Sequence, residues 1–463
     1  MSTLLLSDIQ ALILHTYRPC ALRLIVLKVK DAKAARAFLG SMAGGGLAAP
    51  QLATADQYGQ EHATRLNCGI THAGLSALGL PEASLGTFPD EFIGGGVDAA
   101  PRLGDTGDSA PEHWAPPFAG GDMHILLFLF VVDKANTGGL RDELTARLRD
   151  SYKDACEELC VRDADSLPGD VAHFGYRDGF AQPVIKGGPP PVIPDILPEA
   201  EASEFLLGYG NLTTDSVPAP VELCRNGSYA AVRILEQDCR GFEDFLSAQA
   251  EKTGFDPELI AAKLCGRWRS GAPLTLFPTA DDPGRDDPRS VLNYNKFDYV
   301  RTDKFDPGEG YDDSRGYLCP IGSHIRRMNP RHSRVAGNSG LSHRIVRRGL
   351  PYGPPYDPAK PEDGIERGLL GLFIGASLKN QFEFLMKHWV NDGGFAGIGQ
   401  TKDPILGDNA GDGAKFLLPV AEQKKPVVLG GLPRLVRTRG GAYCFLPSMT
   451  ALRYLARLPQ PTP

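Results

Sequence analysis

Apolar positions come mostly in short runs separated by amphipathic stretches. Leu22–Val29 (LRLIVLKV) is predicted as a buried strand, with a helix following over 32–39. His124–Val132 (HILLFLFVV) is apolar without alternation, the signature of a strand covered on both faces. A charged stretch with helical spacing follows over 138–159. The same order returns in the second half. Tyr229–Leu235 (YAAVRIL) is predicted as a strand and 241–252 as a helix; 368–375 is another strand-like run, with a helix over 378–389. Strand-then-helix units in both halves point to an α+β architecture that is duplicated.

Loops separate these units. One runs over 94–117, a second over 186–202 (KGGPPPVIPDILPEAEA), a third over 351–364 (PYGPPYDPAKPEDG). Proline there fixes φ and removes backbone donors. The boundary between halves is expected between Asn211 and Asn226, dividing the chain into 1–215 and 216–463.

The chain has 463 residues, enough for two such halves, and no short-period repeat. With 49 basic against 56 acidic residues it carries a net charge of −7, which excludes a general nucleic-acid binder. Its longest apolar run, eight residues from Ile125 to Val132, is far short of the roughly 20 a membrane helix needs. The first residues carry no basic, signal-like region. Nine scattered cysteines with no CxxC pair suggest reduced thiols. The expected location is therefore the cytoplasm. Without CxxCH, covalent haem attachment is not expected.

Three segments carry candidate chemistry. In HFGYRDGFAQP (173–183), Asp178 lies beside Gly179, where a glycine lets backbone approach a planar ligand and a carboxylate can act as general acid or base. Asp-Gly is also a common turn. In CPIGSHIRRMNPRHSR (319–334), His324 can offer an imidazole nitrogen to iron, and Arg326 and Arg331 can pair with carboxylates. The segment reads equally as a histidine in a solvated basic patch. In HRIVRRGLPYG (343–353), Arg347 could stabilise negative charge or could be an exposed strand end.

These segments stand in one order, with 146 residues from Asp178 to His324 and 23 from His324 to Arg347. GYRDG, CPIGSHIRRMNPR and IVRRGLPYG together resemble the signatures of the dye-decolourising peroxidases. DIQALIL, HAGLSALGLP, EFLLGYGN, NGSYAAVRIL, AAKLCGRWRSGAPL, NQFEFLMKHWVND, KDPILG and YCFLPSMTALRYLA extend the resemblance over residues 8–455. It implies an α+β fold of duplicated ferredoxin-like units with antiparallel sheets and peripheral helices, and a haem cavity mainly in the second half. It implies a non-covalent haem b with His324 as axial ligand, Asp178 as acid/base and Arg347 as charge stabiliser. It also implies hydrogen peroxide and a small organic reductant or dye as substrates; a homodimer is compatible with it. A carboxylate base stays ionised into mild acid, so activity at acidic pH is expected. Asp403, in KDPILG, is the expected partner of the His324 ring, although Asp-Pro is also a turn. Trp268, Trp389 and Tyr352 are candidate electron relays, or ordinary packing aromatics.

One position departs from the family pattern. Gly371 stands in RGLLGLFIG where an aromatic is usual, which predicts a more open distal wall unless Phe373 compensates. The ending ARLPQPTP does not resemble the hydrophobic docking tail of encapsulated members. A haem-handling protein with little turnover would share His324 without needing Asp178 and Arg347. A plain α+β assembly protein would need none of the three.

Overall fold

A computed structural model describes residues 3–459, apart from 16, 18–19, 46–49, 61, 133–136, 192, 211–216, 288, 302–310, 334–339, 362, 412, 422 and 424. Eight principal strands form one sheet: β1 (Ala21–Val29), β2 (Thr64–Ile70), β3 (Ile125–Val131), β4 (Cys156–Asp165), β5 (Ser228–Gln237), β6 (Val346–Tyr352), β7 (Gly368–Gly375) and β8 (Val436–Leu446). Their order is β4-β1-β3-β2-β8-β5-β7-β6, and the pairings between these strands are antiparallel. Taken four at a time, each half has the order fourth-first-third-second. In each, a helix follows the first strand and another follows the third: α1 (Ala32–Gly40) and α2 (Thr137–Tyr152), then α3 (Cys239–Thr253) and a wide-turn π-helical stretch, Leu378–Glu383 and Leu385–Val390. This is a ferredoxin-like unit used twice. The two four-stranded sheets meet edge to edge through the pair Ile70–Phe445, closing what would otherwise be two open edges.

The burial pattern explains the sequence pattern. All seven residues of β3 are buried, because helices and loops cover both faces of the sheet there. On β1, Leu22, Leu24 and Val26 enter one core and Ile25 and Leu27 the other, as period-2 alternation requires. Fully burying each such side chain contributes about 1.5–3 kcal/mol. The α3 start is set by Asp238, whose carboxylate accepts the Gly241 N–H.

One expectation needs correction. The helix predicted to reach residue 159 ends at Tyr152, and Cys156 already belongs to β4. β4 is an edge strand pairing only with β1, so its outer positions stay polar and imitate a helix face. β2 and β8 carry too many polar or small residues to announce themselves, yet Asn67 in β2 is fully buried. The proposed boundary at 215/216 falls in 211–216, outside the described residues. No helix among the described residues is long and apolar enough to cross a membrane.

Candidate active site

A cavity of about 400 Å³ lies against the second-half strands β5–β7. Its wall includes Asp178, Gly179, His324, Arg331, Arg347 and Gly371, so the three segments picked out in the sequence converge on one space.

His324 opens a short helix, α4 (His324–Met328), one turn beyond Pro320. Its Nδ1 lies 2.9 Å from Asp403 Oδ2. Asp403 is fully buried and pinned: its Oδ1 accepts the Ile405 and Leu406 N–H groups at 2.9 and 2.8 Å. Burial pushes the Asp403 carboxyl up, but the charge and hydrogen bond of His324, with the Leu406 amide and Arg327, outweigh it and hold it below its ordinary value. A carboxylate can only accept, so Nδ1 carries a proton, and in the neutral ring Nε2 is the nitrogen with the lone pair.

The neighbouring arginines divide according to helix geometry. Arg326 and Arg327 are buried on the protein side of α4. Arg326 donates to Asp313 Oδ2 at 2.9 Å and to the Asp313 carbonyl at 2.8 Å, with both ion-pair side chains at 0% exposure. It is absent from the cavity wall, so the expectation that it contacts a ligand carboxylate is corrected: a far residue, Asp313, has taken its charge inward. Arg327 donates to the carbonyls of Trp389 and Thr401, tying α4 to the segment that carries Asp403. Arg331 does reach the cavity, but Asp195 of the proline-rich loop already pairs with it at 3.0 Å, and Phe297 lies under its guanidinium. Arg334 lies outside the described residues.

Asp178 and Arg347 come together. Arg347 Nη1 lies 3.6 Å from Asp178 Oδ1, an ion pair longer than a hydrogen bond, with side chains 38% and 58% exposed. The Asp178 N–H donates to the Asp170 carbonyl at 3.1 Å, fixing the turn. Gly175 and Gly179 bracket it, both with φ of +85°, a region costly for other residues. A Cβ on Gly179 would meet nothing within 4 Å, so φ rather than crowding requires the glycine. Arg347 sits on β6 and donates from Nη2 to the Ala181 carbonyl at 2.9 Å.

Gln182 was overlooked in the sequence. Its Oε1 accepts the Arg347 N–H at 3.0 Å and its Nε2 donates to the Arg347 carbonyl at 3.2 Å. It clamps the backbone of Arg347 to the strand of chain that carries Asp178. Its place four residues after Asp178 was visible; its partner 165 residues away was not.

The aromatic candidates sit as follows. Trp268 and Trp389 are buried, Trp268 donating from Nε1 to the Phe277 carbonyl. The Tyr352 hydroxyl donates to Glu366.

The cavity fits a largely apolar ligand that carries a metal able to take one imidazole nitrogen. Its walls are mostly hydrocarbon, from residues such as Phe174, Ile325, Met328, Leu369 and Leu406. It presents one free imidazole nitrogen. Three wall residues also carry buried oxygens without a hydrogen-bond partner, Oε1 of Gln237, Oδ1 of Asn329 and the hydroxyl of Tyr299. Such orphans inside a wall are a mark of ligand-facing polar groups.

No family profile matches the chain. It is 31% identical over 425 residues to a dye-decolorizing peroxidase of Mycena epipterygia, an alignment that covers 85% of this chain and 76% of the other. With a multifunctional dye peroxidase of Amycolatopsis it shares 28% identity over 475 residues, 97% of this chain and 96% of that one. The crystal structure of a fungal DyP-type peroxidase from Auricularia auricula-judae matches with a TM-score of 0.80 and 28% identity, over 98% of this chain and 100% of that one. A dye-decolorizing peroxidase in complex with 2,6-dimethoxyphenol matches with the same score at 25% identity and the same coverage.

Proposed function

This chain belongs to the dye-decolourising peroxidase family, and from that premise we propose that it reduces hydrogen peroxide and oxidises dyes, phenols or similar organic donors at a non-covalent haem b held by His324. The observation that carries the proposal is the convergence on one cavity of a free His324 Nε2, a carboxylate and a guanidinium.

His324 would hold the haem iron through Nε2, and Asp403 keeps the ring in the tautomer that leaves this nitrogen available. When bound, haem supplies the redox iron at which the peroxide O–O bond breaks and electrons from the donors are received one at a time. Asp178 takes a proton from one peroxide oxygen and returns it to the other, which leaves as water. The Arg347 guanidinium stabilises the negative charge that develops on the departing oxygen. Gln182 keeps Arg347 in register with Asp178. Gly179 lets the main chain run close to the ligand. Arg331 would pair with a haem carboxylate if Asp195, its present partner, shared or released it. The halves 1–215 and 216–463 are the two ferredoxin-like domains, with GYRDG supplied by the first and both His324 and Arg347 by the second.

The test is peroxide-dependent oxidation of 2,6-dimethoxyphenol and of an anthraquinone dye by the haem-loaded protein. The proposal expects turnover that Asp178→Asn and Arg347→Leu each reduce at least a hundredfold. Turnover that is unaffected by both substitutions would sink the assignment of roles.

A further inference from the structure

One strip of the cavity wall is bare. Strands β6 and β7 pair so that Arg347 faces Phe373, Gly349 faces Gly371 and Pro351 faces Leu369. Alternation puts these pairs on one side of the sheet, and Leu370, Leu372 and Ile374 in the core on the other. Arg347, Gly349, Leu369, Gly371 and Phe373 all border the cavity.

The two glycines are there for different reasons. A Cβ at Gly349 would lie 2.5 Å from the Leu370 carbonyl oxygen and 3.0 Å from the Gly371 Cα, so backbone crowding forbids any side chain. At Gly371 the obstacle is a ring. A Cβ there would lie 3.0 and 3.1 Å from Cε2 and Cζ of Phe373, with the nearest backbone atom, the Arg233 carbonyl, at 3.8 Å. The Phe373 ring is laid down over Gly371, and it stacks on Phe382 with centroids 5.4 Å apart and planes 26° apart. A Cβ at 371 requires the Phe373 ring to give by a few tenths of an ångström, and a longer side chain displaces it further, beside Arg347.

We propose that Gly371 is a specificity-determining residue: by letting Phe373 lie flat, it leaves room beside Arg347 for a planar aromatic molecule to enter the cavity itself. The inference rests on the haem-peroxidase reading of this cavity. The class of ligand follows from the walls. The strip offers a ring face, bare peptide edges and one guanidinium, which suit a flat aromatic with a single polar end such as a phenol or an aryl azole. Phe373 thus replaces the bulk missing at 371 only in part. It covers the strand but not the space above it.

The experiment is an optical titration of the haem-loaded protein with cyanide, which is small, and with 4-phenylimidazole, which is planar and large; both report through the Soret band. Wild type is expected to bind both. Gly371→Leu is expected to weaken 4-phenylimidazole at least tenfold and leave cyanide within twofold, with Gly371→Ala intermediate. Adding Phe373→Leu to Gly371→Leu is expected to restore much of the loss. Phenylimidazole binding to Gly371→Leu within twofold of wild type overturns the inference while the peroxidase reading stands. So does an equal loss of both ligands, which would make Gly371 merely structural. A wild-type protein that binds neither ligand overturns the reading of the site and the inference with it.

Discussion

His324 Nδ1 and Asp403 Oδ2 are 2.9 Å apart, although 79 residues separate them in sequence. Asp403 is held by two backbone amides on its other oxygen, so it can orient the ring without moving. Asp403→Asn keeps the shape and those amide contacts but removes the anionic acceptor. Loss of such a partner costs about 10–100-fold in metal affinity or activity. The expected outcome is faster transfer of haem to an apo-globin acceptor, by about that factor, with little change in folding. An unchanged transfer rate would make the contact incidental.

Gln182 grips the backbone of Arg347 rather than its charge. Gln182→Ala should therefore lower kcat/KM for peroxide by less than Arg347→Leu does, about tenfold against the 10²–10³-fold expected for loss of a charge-stabilising group. In the double variant the two losses should not multiply, because Gln182 acts only through Arg347. Multiplicative losses would show that Gln182 acts independently.

Arg326 and Asp313 form an ion pair with no exposed surface. Removing one partner leaves a buried charge unpaired, at a cost of about 3–5 kcal/mol. Asp313→Ala is expected to lower the unfolding free energy by that amount in chemical denaturation. A loss below about 1 kcal/mol would reopen a ligand-binding role for Arg326.

His173 links stability to pH. Its Nε2 donates to the Tyr352 carbonyl at 2.7 Å, and its Nδ1 is buried with no partner. Burial holds the ring below its ordinary pKa of 6.5. The unfolded chain therefore binds a proton first. Stability from this group is complete above about pH 6.5 and declines as pH falls toward the folded value. Burial lowers His15, His124 and His343 likewise, so the wild-type slope is shared. The melting temperature should fall between pH 7.5 and 5.5, and His173→Gln should flatten that fall. An identical slope in the variant would contradict this.

The parts of the fold visible in the sequence were those where one physical pattern dominates. β3 is apolar on both faces and β7 keeps the bounds its apolar run suggested, Gly368–Gly375. β2 was invisible because its buried polar residue is satisfied from far away: Asn67 donates to Gln10. The candidate site divides in the same way. Asp178, His324 and Arg347 stood in distinctive segments and do share a cavity. What could not be read was which arginine beside His324 faces that cavity. That depends on Asp313 and Asp195, which lie 13 and 136 residues from the arginines they hold.

The central claim is that His324 holds the haem. The most direct measurement is the absorption spectrum of wild type and His324→Ala after loading with haem, before and after one equivalent of hydrogen peroxide. The account predicts a Soret band that wild type forms, that peroxide shifts rapidly and that a reducing phenol returns, and that His324→Ala lacks or shows strongly altered. A Soret band of the same position, intensity and peroxide response in His324→Ala would contradict it.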